Sequence, residues 1–152
     1  MPMIGTCGNP ENNGCAKVAN SAYGLDAGVT SHLIYGSEWD AALKFISSEK
    51  DVLDSTSWGN YSDNTARTSL SPNSPAKTGA HEDWKAKNVY DMAGNAWEWT
   101  MEYFPTYGVG VRVIRGASFY GIGANLPAAA RDCDYPTGYG SSYGFRVVLC
   151  IK

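Results

Sequence analysis

Hydrophobic positions change their period once along the chain, near residue 88, and that change divides the reading. Upstream, Trp39, Leu43 and Ile46 fall at i, i+4 and i+7, an apolar stripe of helical spacing. Ser37 precedes the stripe as an N-cap candidate, and Asp40 suits the positive end of a helix dipole. A helix is therefore predicted over Glu38–Ser48. Residues 1–36 read as loops and short strands, and residues 49–88 as polar irregular chain anchored by Trp58 and Trp84. Downstream, Trp97, Trp99, Met101 and Tyr103 alternate with Glu98, Thr100 and Glu102, which predicts one strand with an apolar and a polar face. Val111–Ile114 and Phe145–Ile151 are further β-branched runs, the last expected to form a buried strand. The glycine-rich stretch 116–144 between them lacks periodicity and reads as loops displayed by flanking strands. The expected class is α+β, with few helices and a small irregular antiparallel sheet, in one domain over 1–152.

Composition narrows the partner. The net charge is −3 and no Lys/Arg run occurs, which argues against nucleic acid and against an anionic membrane surface. A protein or a glycan remains. No segment approaches the roughly eighteen apolar residues of a membrane span, and Met1–Ile4 lacks a signal-peptide core. The chain is expected to be soluble, with export as part of a virion still open. Four cysteines occur, Cys7, Cys15, Cys133 and Cys150, without a C-x-x-C pair. Cys7 and Cys15 flank a Gly/Asn/Pro loop, compatible with one small disulfide; four unpaired thiols are the alternative.

Three blocks carry a family resemblance. Asn88–Thr100, reading N-V-Y-D-M-A-G-N-A-W-E-W-T, resembles the tryptophan signature of the formylglycine-generating, or sulfatase-modifying factor, family. Arg115–Phe119 is similar to its R-G-G-S block, and Gly144–Val148 to its closing G-F-R. The resemblance implies a C-type-lectin-like fold. Physically, Gly94 and Gly116 fall where turns are expected, Trp97 and Trp99 would fill a core, and Arg115 and Arg146 could cross-link loops.

The resemblance also implies where catalysis should sit. Copper-dependent oxidases of the family use two cysteines after the R-G-G-S block, and the matching positions here are Gly121 and Leu126. Hydroxyl or alkyl groups cannot replace a thiolate on Cu(I), so no copper and no catalytic residue are expected. An iron-dependent branch uses three histidines; this chain has only His32 and His81, so no iron is expected either. A divergent oxidase is kept as the alternative function. The family further implies a structural Ca2+ ion held by two side chains and two carbonyls, matching Asp91, Gly94, Ala96 and Glu98. The competing reading has Asp91 capping a turn and Glu98 paired with an arginine.

The stretch 116–151 contains no Lys, Glu, Gln, Met or Trp, although the preceding 115 residues contain 21 of these. Chance would give such a gap in about one case in a thousand. Every residue type in the stretch has a codon ending in C, as randomised AAC codons would produce. The stretch thus resembles the variable region of proteins diversified by retroelements, which share this fold. Tyrosines among small residues also resemble antibody paratopes, so a binding surface follows even without diversification. The candidate contacts are Phe119, Tyr120, Ile122, Asn125, Leu126, Asp132, Cys133, Asp134, Tyr135, Tyr139, Ser141, Ser142 and Tyr143. The expectation is a non-catalytic domain that recognises a bacterial cell-surface protein or glycan, displayed on a phage tail tip or a bacterial surface.

Overall fold

The structure, a computed structural model, describes residues 15–21, 29–64, 74–105 and 110–151. Two α-helices occur among them, α1 (Cys15–Ser21) and α2 (Gly36–Ile46), separated by strand β1 (Val29–Leu33). Short strands β2 (Lys85–Ala86) and β3 (Val89–Tyr90) form a hairpin after a 3-10 turn at Glu82–Trp84. Strands β4 (Trp97–Tyr103), β5 (Arg112–Arg115), β6 (Arg131–Asp134), β7 (Tyr143–Phe145) and β8 (Val147–Ile151) follow. The main sheet has the order β6-β5-β4-β7; β5 runs antiparallel to both neighbours and β7 parallel to β4. β1 and β8 pair separately as an antiparallel ribbon.

The apolar stripe of α2 is buried as its spacing requires: Trp39, Leu43 and Ile46 all lie in the core. The helix starts two residues before the predicted Glu38. The Glu38 carboxylate reaches back to the Tyr35 N–H at 2.8 Å, and the Tyr35 carbonyl accepts from Trp39 N at 3.0 Å. Glu38 therefore supplies the cap, and Ser37 sits inside the first turn. The expectation of loops and strands alone before residue 36 missed α1. That helix buries Ala19 against Leu33, Trp99 and Ile114 in a second core cluster.

Alternation in β4 fails past its middle. Trp99 and Thr100 are both buried, whereas Met101 is 36% and Tyr103 46% exposed. The pairing register with β5 shifts between Trp99 and Tyr103, and such a bulge re-aims the side chains after it. The predicted terminal strand is two strands broken at Arg146, and it is not buried as a whole. β7 joins β4, while β8 pairs with β1 and leaves Leu149 47% and Ile151 86% exposed. Cys15 is disulfide-bonded and Cys133 and Cys150 are free thiols; Cys7 lies outside the described residues. No helix among the described residues is long and apolar enough to cross a membrane.

Candidate ligand-binding face

The frame beneath the loops is organised on one indole. Trp39, fully buried on α2, has two guanidinium groups over its ring, Arg115 at 5.9 Å and Arg146 at 5.7 Å. Arg115 also pairs with Asp40 and donates to the carbonyls of Ala129 and Ala130. Arg146 closes a two-pronged fork on Glu98, both bonds at 2.7 Å, and donates to the Tyr90 and Asp91 carbonyls at 3.1 and 3.2 Å. The arginines of the two motifs thus cross-link loops, as the guanidinium geometry permits. Gly116 has φ +81°, and a Cβ there would stand 3.0 Å from both the Met92 carbonyl and the Trp39 ring. Only glycine lets the chain turn this close to Trp39.

Asn95, itself at φ +65°, is a second organiser. Its side chain joins Asn60 and both backbone groups of Ala76, at 2.9, 2.8 and 3.3 Å. Its carbonyl accepts from Phe119 N at 3.1 Å, and two residues on Trp97 N donates to the Ser142 carbonyl at 2.8 Å. The stretch Asn95–Trp97 therefore tethers the two display loops, 116–130 and 135–142, on either side. Sequence reasoning missed Asn60 and Asn95 as organisers. The asparagine within the tryptophan signature was visible, but its partners lie far along the chain.

On this frame the candidate contacts separate. Tyr120 is 61%, Ile122 46%, Leu126 37%, Tyr135 59% and Tyr139 73% exposed, large aromatic and aliphatic groups facing solvent. Asn125, Asp132 and Ser141 are exposed, and Cys133, Asp134, Ser142 and Tyr143 are half-buried. Phe119 corrects the expectation: it is 1% exposed and belongs to the core, its ring 4.2 Å from that of Tyr120. Gly116 and Ala117 both take positive φ, so the chain reverses here and period-two reasoning cannot assign its faces. Asp132, Cys133 and Asp134 correct it differently, because they form an edge strand rather than a loop. β6 puts Asp132 and Asp134 opposite Ile114 and Arg112, and Cys133 opposite Val113. Tyr143 stacks on Trp99 at 5.6 Å and donates to Asp134 Oδ2 at 2.6 Å, tying the second loop back across the sheet. That bond to a carboxylate pushes the Tyr143 phenol up to about 12.

The four expected calcium positions carry a different arrangement. Asp91 is buried with φ +53°, and its Oδ2 accepts from Gly79 N at 3.1 Å. Burial pushes its pKa up. Both oxygens of Glu98 face Arg146, so a cation already stands where an ion would bind. Gly94, at φ +67°, donates its N–H to the Gly116 carbonyl at 2.7 Å, and Ala96 packs near Gly144. Asp91 and Glu98 thus take the turn-capping and arginine-paired arrangement, with their oxygens engaged by Gly79 N and Arg146. Among the described residues no group of three or more acidic, histidine or cysteine side chains could hold a metal ion. At the two positions matching the oxidase cysteines, Gly121 is buried with its carbonyl bonded to Ser62, and Leu126 faces solvent.

Residues 28–151 match the family described as the sulfatase-modifying factor enzyme 1-like domain. Among solved structures, the chain is similar to Treponema denticola variable protein 1, with 20% identity and a TM-score of 0.59. It is also similar to CarF, with 18% identity and a TM-score of 0.58. Each likeness covers 81% of this chain and 48% of the other, so the chain spans about half the length of either. At such identities the likeness is one of fold. No curated protein matches the sequence. By motif, fold and a match running over residues 28–151, the chain belongs to the sulfatase-modifying factor enzyme 1-like domain family, with its C-type-lectin-like α+β fold.

Proposed function

We propose that this domain is a non-catalytic binding module whose loops 116–142 recognise a bacterial cell-surface protein or glycan. The observation that carries the reading is the exposure of Tyr120, Tyr135 and Tyr139 on loops tethered to a buried Trp/Arg/Asn frame. Tyrosine offers a broad apolar face with one hydroxyl and few rotors, so it recognises partners at low entropic cost. Rigid tethering at Asn95–Trp97 lowers that cost further. The fold is shared with Treponema denticola variable protein 1, which supports a variable protein diversified through a retroelement. Display on a phage tail tip or a bacterial surface suits that role. The family also contains oxidases, but Gly121 and Leu126 offer no thiolate for copper.

Copies of this domain drawn from one genome or virus population test the proposal. Substitutions should gather at Tyr120, Ile122, Asn125, Leu126, Tyr135, Tyr139 and Ser141, with Trp39, Arg115, Phe119 and Arg146 unchanged. Changes scattered evenly over frame and loops would overturn it. Loss of a sulfatase-peptide thiol on incubation with Cu(I) and oxygen would establish the oxidase instead.

A further inference from the structure

Away from the display loops, the β1–β8 ribbon gathers three reactive side chains. In its register His32 faces Val148 and Thr30 faces Cys150, so His32 and Cys150 are diagonal neighbours on one side of the ribbon. Cys150 Sγ lies 3.8 Å from His32 Nδ1, and Cys150 is exposed. The other ring nitrogen, Nε2, stands 2.9 and 3.0 Å from the two oxygens of Glu38. Glu38 is itself fixed by the Tyr35 N–H at 2.8 Å, and the Tyr35 ring lies 5.1 Å from the imidazole.

This geometry sets the tautomer. An ionised carboxylate only accepts hydrogen bonds, so Nε2 carries the proton and donates to Glu38. Nδ1 is then the basic nitrogen, and the Cys150 thiol is the group beside it. A nucleophile, a base and a carboxylate that orients the base follow one another in space. The thiol itself is open to solvent, so an incoming disulfide reaches it directly.

We propose that Cys150 is a nucleophilic thiol activated by His32 and Glu38, and that it exchanges with external disulfides to form a mixed disulfide. Nδ1 takes the thiol proton, and the thiolate attacks one sulfur of the incoming disulfide. A Cys150–sulfur bond forms as the original S–S bond breaks. The departing thiolate takes the proton back from the imidazolium and leaves as a thiol. The external disulfide is the oxidant, so the step balances with one thiol released per chain. Exchange at sulfur develops no oxyanion and asks nothing beyond the thiolate and the proton carrier.

The test uses 4,4′-dithiodipyridine, a neutral disulfide, and follows thiopyridone release from the Cys133→Ser protein, in which Cys150 is the remaining free thiol. One equivalent should be released at least about tenfold faster than from glutathione per thiol at pH 7, and Cys150→Ser should abolish the release. His32→Gln should slow it by about tenfold, and Glu38→Gln, which keeps an acceptor for the Tyr35 N–H, should slow it as well. A rate equal to that of glutathione overturns the proposal, whether or not the His32 variant folds. An unchanged rate in a folded His32→Gln protein overturns it equally.

Discussion

Tyr143 and Asp134 show how single contacts fasten the display loops. The phenol donates to a carboxylate across the sheet, and that bond holds its pKa near 12 against an ordinary value of 10.0. A group with a raised folded pKa contributes stability below its unfolded value and loses it as pH rises through the folded one. Stability should therefore fall between about pH 10 and 12, and Asp134→Asn should return Tyr143 toward the ordinary value. NMR titration of the tyrosine ring carbons checks this, and an unmoved titration in the variant contradicts it. Phe119 and Tyr120 give the complementary contrast, one buried and its neighbour exposed. Phe119→Ala should cost roughly 3–5 kcal/mol in chemical unfolding, whereas Tyr120→Ala should stay within about 0.5 kcal/mol. The sequence placed both among the candidate contacts and could not divide them, because positive φ at Gly116 and Ala117 breaks the alternation from which faces are read.

At the scale of elements, spacing announced α2 and the start of β4, since both bury one regular stripe. It was silent on α1, whose seven residues carry too short a pattern, and on β6, whose Arg-Asp-Cys-Asp sequence has no strand-like composition. β6 is held by pairing with β5, a long-range contact that local propensity does not record. The crossing of residues 60 and 94 is similarly non-local. Gly94 lies at φ +67° with its would-be Cβ 2.3 Å from the Asn60 carbonyl oxygen. Gly94→Ala should therefore destabilise by at least about 2 kcal/mol, from the left-handed backbone plus the clash, as measured by the denaturant midpoint. The half-buried Glu98–Arg146 fork joins β4 to the chain between β7 and β8. Removing one partner of a charge-assisted fork costs roughly 1.5–3 kcal/mol, and Arg146 also holds the Tyr90 and Asp91 carbonyls, so Arg146→Ala should be clearly destabilising in chemical unfolding. Because Arg146 occupies the cation's place before Glu98, chelation with EDTA should leave the thermal midpoint unchanged. A large drop, reversed by Ca2+, would contradict that arrangement.

Over the whole molecule, the buried frame and the exposed loop side chains are different sets of residues. Trp39 and its two arginines fix a core, Asn95–Trp97 carries the tethers, and the loops expose side chains that fold stability does not require. Such a division lets loop residues change freely, because surface substitutions away from caps and buried partners rarely exceed about 0.5 kcal/mol. Family and fold were legible from motifs that concern the frame. The composition of 116–151 pointed to the loops, while the number of truly exposed contacts depended on turns that no motif specifies. The most direct measurement is binding of labelled domain to host bacterial cells, comparing the native protein with a Tyr120→Ala, Tyr135→Ala, Tyr139→Ala variant of matched thermal midpoint. Saturable binding weakened at least about tenfold in the variant is the predicted result. Equal binding by the two proteins would contradict it.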